Sequence, residues 1–377
     1  MPPVVTDENS KAQRLLRCAV KTIKNIYEKI YDFENLYQAY LSARRCKRYR
    51  DEVLAFTANL EENLLEIQNE LIYQTYRVGK YHEFYVWEPK KRLIMALPFK
   101  DRVVQWAIYR VVNPVVTKSY ILDSYACIVG RGTHSAVQRL QYWLRLVENR
   151  LGKCYYLKMD VTKFYYRIPH DRIFEILSRK FVDNRLIWLF KTIIDSENTA
   201  FGLPLGYIDV ETAPRLYNVG IPIGNLTSQM LANIYMNEVD QFCKRKLRIH
   251  FYMRYMDDML IISDDKRKLQ KYKELIERFL NEQLKLELNN KTAIRPCTLG
   301  VEFCGYKVWN DHIKLRKSTA LKMKRHLSLI KKKYSKGEIP LEKANNALTS
   351  YMGLMKHCNS YRLKNKILND FVLVRKD

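Results

Sequence analysis

Two adjacent aspartates inside an apolar segment constrain this chain more than any other feature. Residues 252–262 read Tyr-Met-Arg-Tyr-Met-Asp-Asp-Met-Leu-Ile-Ile. The pattern predicts two short strands joined by a tight turn that carries Asp257 and Asp258. Because two neighbouring charges beside a core are costly to desolvate, the pair needs a compensating cation. Mg²⁺ suits such a site, since it binds one or two carboxylates together with substrate phosphates. A solvated Asp-Asp turn is the alternative interpretation.

A third aspartate strengthens the metal hypothesis. A β-rich stretch runs from Tyr155 to Met159 and ends at Asp160. A strand-end aspartate and an Asp-Asp hairpin together fit a two-metal site, in which ions about 3.5–4 Å apart promote phosphoryl displacement. A helix N-cap or a strand-end turn explains Asp160 equally well.

The composition favours a nucleic-acid partner. The 377 residues include 66 Lys+Arg against 40 Asp+Glu, a formal net charge of +26, and 27 tyrosines. Basic side chains follow a phosphate backbone and aromatic rings stack on bases. A basic soluble protein with no such partner is the alternative.

The sequence also bears on location. The N-terminus lacks a signal-peptide pattern, and no run approaches the roughly 18 apolar residues of a membrane span. The 8 cysteines are scattered as single residues, which is typical of a reducing compartment. We therefore expect a cytoplasmic protein, bacterial or phage-encoded, with no membrane partner.

Hydrophobic periodicity predicts helices first, then strands alternating with helices, then basic helices. The N-terminal part is predicted to hold helices at 10–31, 35–41, 47–74 and 101–112, the last bounded by Pro114, and a hairpin of 81–87 and 91–97 around a turn at 88–90. The middle part is predicted to hold strands at 154–160, 250–256, 259–263, 286–296 and 301–308, helices at 228–247 and 266–283, and a short hairpin insertion at 206–216. From about residue 315 the pattern is helical, with a break at 337–340 before a helix over 341–357. This order predicts an α+β fold with a mostly antiparallel sheet.

Several segments, in the right order, resemble the motifs of reverse transcriptases. Residues 255–258 resemble their Y-x-D-D box, and Asp160 followed by Phe164 and Tyr165 resembles their first catalytic motif. Further matches are 220–229 for the glycine-serine motif, 286–292 for the next motif, 300–306 for the primer grip, and 91–105 and 124–136 for finger motifs of group-II-intron-like bacterial enzymes. Ordered motifs together are far more specific than any one alone.

The resemblance implies a right-hand polymerase that synthesises DNA on an RNA template. It implies N-terminal helices and fingers at 1–150, a palm with an antiparallel sheet at 151–312 and a helical thumb at 313–377. The implied ligands are template RNA, a primer or growing cDNA, dNTPs and two Mg²⁺ ions, with Mn²⁺ as a substitute.

The residues of the glycine-serine motif indicate which group of reverse transcriptases this chain resembles. Most reverse transcriptases carry Gln before the second glycine of the glycine-serine motif and end it with Ser-Pro. This chain has Ile223 before Gly224, and Ser228 followed by Gln229. These residues are similar to those of the same motif in reverse transcriptases of diversity-generating retroelements. Those enzymes make cDNA with frequent errors opposite adenine, and they act with a small, basic, helical, pentameric accessory protein. A related bacterial enzyme of phage defence and a non-catalytic RNA-binding relative are the alternatives.

The resemblance also assigns roles residue by residue. Asp160, Asp257 and Asp258 would bind the metal ions, and Lys291 would be either a general acid near the leaving pyrophosphate or a solvated turn lysine. Tyr165 would be the steric gate that excludes a ribose 2′-OH. The other expected nucleotide contacts are Lys91, Arg92, Ile223, Gly224 and Gln229, and the expected nucleic-acid contacts are Arg131, His134, Ser228, Gly305, Tyr306, Lys331, Lys332 and Lys333.

Overall fold

The computed structural model describes residues 23–87, 91–195, 200–207, 209–210 and 212–375. They belong to two compact units, each assembled from separate stretches of the chain. The first takes its residues from Met1–Tyr120, Thr162–Glu238 and Leu280–Leu286, and the second takes them from Ile121–Val161, Val239–Phe279 and Glu287–Asp377. The predicted turn at 88–90 and the first part of the predicted helix at 10–31 lie outside the described residues.

The first unit is mainly helical and carries one antiparallel hairpin. Its helices include Tyr27–Tyr31, Phe33–Ala43, Asp51–Ala58, Leu60–Ile72, Phe99–Val116, His170–Lys180 and Asn184–Ile194. The hairpin pairs β1 (His82–Val86) with β2 (Arg92–Ala96), as predicted. The single helix predicted over 47–74 is wrong, because Asn59 leaves helical geometry at φ −121° and ψ 51° and divides it in two.

Pro114 does not bound its helix, contrary to the prediction. The helix Phe99–Val116 continues through it. Proline removes one backbone hydrogen bond and crowds the preceding turn. The flanking side chains of Val112 and Val116 are almost fully buried, and this burial offsets the local penalty.

The second unit is built on a four-stranded antiparallel sheet of order β4-β5-β3-β6. These strands are β3 (Tyr155–Asp160), β4 (Tyr252–Tyr255), β5 (Asp258–Ser263) and β6 (Ala293–Pro296). A second sheet of order β7-β8-β9 is formed by Val301–Phe303, Tyr306–Val308 and Ile313–Leu315. Apolar side chains from both sheets and from the helix Thr133–Leu151 share one core, which supports the strand ends that carry the aspartates.

Several predicted elements are shorter in the structure. The strand predicted at 286–296 is reduced to Ala293–Pro296, because 289–292 folds into a turn closed by a hydrogen bond from Thr292 N to Asn289 O. The hairpin predicted at 206–216 is represented, among the described residues, by one bridge between Gly202 and Leu216.

The remaining helices follow the predicted order. Leu226–Gln241 continues into a π-helix, Phe242–Lys246, and Lys266–Gln283 lies after β5. The C-terminal helices are Lys317–Ser335, Leu341–Met355 and Tyr361–Asp370. No helix in the described ranges is long and apolar enough to cross a membrane.

Candidate active site

Strand register brings two of the predicted aspartates together. Asp160 ends β3 and pairs directly with Asp258, the first residue of β5. Asp258 also pairs with Tyr255 of β4, so Met256 and Asp257 form the turn. The prediction that both adjacent aspartates lie in the turn is therefore wrong for Asp258, because its backbone is paired with strands on both sides.

The Asp258 carboxylate is compensated on one oxygen only. Its Oδ2 lies 2.9 Å from Nζ of Lys158, while its buried Oδ1 has no hydrogen-bond partner among the described residues. The pKa of Asp258 is raised from 3.8 to about 6, chiefly by burial and also by the neighbouring Asp160 charge, while Lys158 lowers it. An ionised Asp258 thus favours any cation that reaches it.

Asp160 is held by the turn at 289–292. The backbone N–H of Asn289 donates to Asp160 O at 2.7 Å, and the Asn289 side-chain amide reaches Asp160 Oδ2 at 3.4 Å. The next helical turn, Phe164–Tyr166, begins after Lys163, so Asp160 is not its N-cap. Asp160 therefore lies at a strand end, and the helix N-cap interpretation is wrong.

Lys291 lies in the same turn and is exposed. Its backbone N–H donates to the Asn289 side-chain oxygen at 3.0 Å, and the residue is exposed to solvent. This placement is compatible with either predicted role.

The carboxylates fit a divalent cation that is completed by its substrate. Within the described chain, no three His, Cys, Asp or Glu side chains are close enough to hold an ion by themselves. Mg²⁺ in phosphoryl-transfer sites normally relies on one or two carboxylates, with waters and substrate phosphates as the other ligands. An unpartnered oxygen of Asp258, electrostatically coupled to Asp160, is a donor of that kind.

Two predicted nucleotide contacts share an environment in the first unit. Tyr165 and Ile223 are partly buried and pack against one apolar cluster, which also contains Tyr81, Leu93, Met95, Leu97, Tyr166, Phe201, Leu203 and Ala213. The Ile223 carbonyl accepts a hydrogen bond from Met95 N at 2.9 Å, which attaches this loop to β2. Gly224 has φ +118°, a backbone conformation that other residues rarely adopt, and a Cβ there would lie only 3.1 Å from Ile94 Cγ2, so both features favour glycine.

The other predicted nucleotide contacts lie at or near the surface. Arg92 is exposed at the start of β2, and Gln229 is exposed in the helix Leu226–Gln241. The Lys91 ammonium lies 4.5 Å from the ring centroids of both Tyr85 and Trp87. Lys91 thus lies over two exposed aromatic rings, next in sequence to the predicted triphosphate contact Arg92.

Several predicted nucleic-acid contacts have partners within the protein or are buried. Arg131 donates to the carbonyls of Ile121 and Ser124, at 2.7 and 3.2 Å. Tyr306 is buried and its hydroxyl donates to Leu354 O at 3.0 Å. Ser228 is also buried.

His134 and Gly305 each have a defined structural environment. His134 stacks on His357 with ring centroids 3.6 Å apart, and burial lowers its pKa. Gly305 has φ +83° in the turn between β7 and β8. Lys331, Lys332 and Lys333 are exposed on the helix Lys317–Ser335.

Sequence reasoning missed two cations beside the aspartates. Lys158 lies two residues before Asp160 on the same face of β3, and its ammonium also donates to the Glu302 carbonyl at 2.9 Å. Arg254 lies within β4 and is completely buried. A basic residue inside an apolar strand is a readable signal of a buried partner, although the sequence does not identify that partner.

The family follows from comparison with known proteins. The model of the family described as reverse transcriptase (RNA-dependent DNA polymerase) matches residues 86–308, which is more than half of the chain. The chain therefore belongs to the reverse transcriptase family, an enzyme class of RNA-directed DNA polymerases. The predicted right-hand polymerase fold is confirmed at this level.

Individual relatives include bacterial proteins. The chain is 25% identical to Protein YkfC of Escherichia coli K12, over 79% of this chain and 81% of that protein. It is 26% identical to the retron Ec73 reverse transcriptase of E. coli, over 59% of this chain and 76% of that protein. It is 21% identical to the group II intron-encoded protein LtrA of Lactococcus lactis, over 74% of this chain, and it spans only 54% of LtrA.

Among solved structures, apo telomerase from Candida tropicalis, truncated from its C-terminal domain, is a distant likeness. It has 16% identity and a TM-score of 0.45, over 63% of this chain and 55% of that chain.

Proposed function

We propose that this chain is the reverse transcriptase of a diversity-generating retroelement, which copies a template RNA into error-prone cDNA with substitutions concentrated opposite adenine. The environment of Ile223 carries the proposal. Its side chain packs with Tyr165 against the apolar cluster of the first unit. Because isoleucine neither donates nor accepts hydrogen bonds, a nucleotide beside it is held by shape and stacking alone. A site without a positioned hydrogen bond discriminates less between substrates.

The aspartates supply the chemistry under this proposal. Asp160, Asp257 and Asp258 would hold two Mg²⁺ ions, or Mn²⁺ as a substitute, and the bound ions would stabilise the attacking primer 3′-oxygen and the leaving pyrophosphate. The protein's own part is positional: Asn289 holds the end of β3, and Lys158 compensates Asp258. Lys291 is available to donate a proton to the leaving group.

Other residues have supporting roles in the proposal. Arg92, exposed on the hairpin, would bind the triphosphate through its planar guanidinium. Tyr165 would exclude ribonucleotides. The exposed lysines at 331–333 would contact phosphates of the template–primer duplex. A cytoplasmic location and a small basic accessory protein complete the proposal, and both rest on the family resemblance.

A retron-like enzyme of phage defence is a second candidate. The observation in its favour is the 26% identity to the retron Ec73 reverse transcriptase. Genomic context separates the two candidates, since a retroelement of the diversity-generating type has a template and variable repeat pair and an accessory gene beside the polymerase gene.

The mutagenic part of the proposal is tested by replacing Ile223. Wild-type and Ile223→Gln proteins would copy one defined RNA, and the cDNA products would be sequenced. We expect errors opposite adenine to fall by about fivefold in the glutamine variant, since one positioned hydrogen bond is worth about 1 kcal/mol.

Ile223→Leu is the matched control. It keeps an aliphatic side chain and should keep the wild-type error spectrum. Equal error spectra in all three proteins would show that Ile223 is only a packing residue.

A further inference from the structure

A completely buried ion pair lies next to the turn that carries Asp257. The side chains of Arg254 and Asp240 have no exposed surface, and they pair through two hydrogen bonds. Arg254 Nε donates to Asp240 Oδ1 at 2.8 Å, and Nη2 donates to Asp240 Oδ2 at 2.7 Å. Such a bidentate geometry fixes the plane of the guanidinium as well as its position.

The guanidinium of Arg254 also makes hydrogen bonds to residues other than Asp240. Arg254 Nη1 donates to the Met256 carbonyl at 2.8 Å, and Nη2 also donates to Ser124 Oγ at 3.1 Å. Asp240 in turn accepts a hydrogen bond from the Tyr252 hydroxyl at 2.7 Å. The arginine therefore connects a rigid buried acid to one backbone carbonyl of the turn.

That carbonyl belongs to the least relaxed residue of the turn. Met256 has φ +57°, in the left-handed region that non-glycine residues seldom adopt. The Met256 carbonyl and the Asp257 N–H belong to the same peptide unit, which is planar. Fixing the direction of the Met256 carbonyl therefore fixes the backbone nitrogen and Cα of Asp257. This limits the directions in which the Asp257 carboxylate can point.

A role in stability alone explains less of this geometry. Buried ion pairs are often replaceable by apolar residues without loss of stability, so their presence needs another reason. Here Arg254 Nη1 reaches beyond Asp240 and Ser124 to the turn between β4 and β5. The hydrogen bond from Arg254 to the Met256 carbonyl acts on the turn itself, whereas stabilising the fold in general would not require a hydrogen bond to this carbonyl.

We propose that Arg254 is a positioning residue, which holds the Met256–Asp257 peptide so that the Asp257 carboxylate is preset for a divalent cation, with Asp240 orienting Arg254. This rests on the proposed metal-binding role of Asp257. In this role Arg254 acts through the turn and does not contact substrate.

The test is Arg254→Lys in the full chain. Lysine keeps the charge opposite Asp240, but its single ammonium group cannot also reach the Met256 carbonyl in the same fork geometry. Primer extension on an RNA template would give kcat, KM for dNTP and the Kd of the RNA–primer duplex. Mn²⁺ binding would be titrated separately by electron paramagnetic resonance, without nucleic acid.

We expect kcat to fall by about 10- to 100-fold, the range that small misplacements of a reacting group produce. KM for dNTP and the duplex Kd should stay within about twofold, while the Kd for Mn²⁺ rises several-fold. Arg139→Lys is the matched control, because Arg139 pairs with Asp123 in the same unit through an exposed side chain, and it should change none of these values.

Two results would overturn the proposal. One is a folded Arg254→Lys protein with wild-type kcat and Mn²⁺ affinity, and the other is a parallel loss of thermal stability, duplex binding and Mn²⁺ binding. If that variant does not fold, Ser124→Ala decides, because it removes one anchor of the guanidinium and leaves the Asp240 pair intact. A severalfold lower kcat with an unchanged duplex Kd supports the proposal, and an unchanged kcat overturns it. If the wild-type protein itself does not extend primers, the proposed function fails, but the Mn²⁺ titration still tests the role of Arg254.

Discussion

Replacing Asp258 by asparagine should stabilise the metal-free protein at neutral pH. The side chain is buried enough that its pKa rises from 3.8 to about 6, and Lys158 compensates only one of its oxygens. Because each tenfold change in proton affinity corresponds to about 1.4 kcal/mol, the ionised form costs the folded state about 3 kcal/mol at pH 7–8. Asparagine has nearly the same shape and removes this charge.

The net gain should be smaller than that figure. The Asp258 side chain keeps 26% of its surface exposed, so water already screens part of the charge. The opposing effect of Lys158 is already contained in the pKa of about 6. We therefore expect a gain of about 1–2 kcal/mol, which corresponds to a rise in thermal midpoint of about 2–8 °C for a domain of 150–250 residues.

The pH dependence identifies the cause. The pKa of Asp258 is higher in the folded state than in the unfolded state, so its contribution to stability is fully present below pH 3.8 and is lost as pH rises through about 6. The difference between variant and wild type should therefore be near zero at pH 4 and largest above pH 7. Thermal melts in EDTA across this range measure it.

A matched control and a clear refutation are available. Asp264→Asn makes the same change at an exposed aspartate just after β5 and should produce no comparable pH-dependent gain. An Asp258→Asn protein that is no more stable than wild type at pH 8 without metal would refute the reasoning. So would a gain that is the same at pH 4 and pH 8.

Two further predictions concern selectivity and affinity. Tyr165→Ala should admit ribonucleotides more readily, because it opens space beside the sugar 2′-carbon; competition between rNTP and dNTP measures this, and unchanged discrimination with intact dNTP incorporation would assign the gate to another residue. Replacing Lys331, Lys332 and Lys333 by Gln should weaken RNA binding and make the slope of log Kd against log salt shallower by about 0.7–0.9 for each lost phosphate contact. A slope that matches the wild type would show that these exposed lysines do not contact RNA.

The local pattern around the aspartates was predictable, because short runs of apolar, β-branched and aromatic residues predict strands and the Asp-Asp pair interrupts them. The pairing of Asp160 with Asp258 was not, because sequence does not give the register between strands so far apart in the chain. The ion-pair partners of Lys158 and Arg254 could not be predicted either, because Asp258 and Asp240 come close to these cations only in the folded unit.

The errors in the helices have a different origin. Pro114 is a strong local signal for a helix end, whereas Asn59 is a weak one, and each had the opposite outcome in the structure. Burial of Val112 and Val116 carried one helix through a proline. At Asn59 the apolar periodicity continued, but the backbone did not, so a single helix became two.

The central claim is that the aspartates of the second unit catalyse DNA synthesis on an RNA template. Its most direct test is primer extension by the purified chain with an RNA template, a DNA primer, dNTPs and Mg²⁺, compared with the Asp257→Ala variant at equal folded concentration. We predict template-dependent extension by the wild type and a loss of at least about a thousandfold in the variant, with thermal stability and RNA affinity retained. Full activity in a folded Asp257→Ala protein would contradict the assignment of the active site.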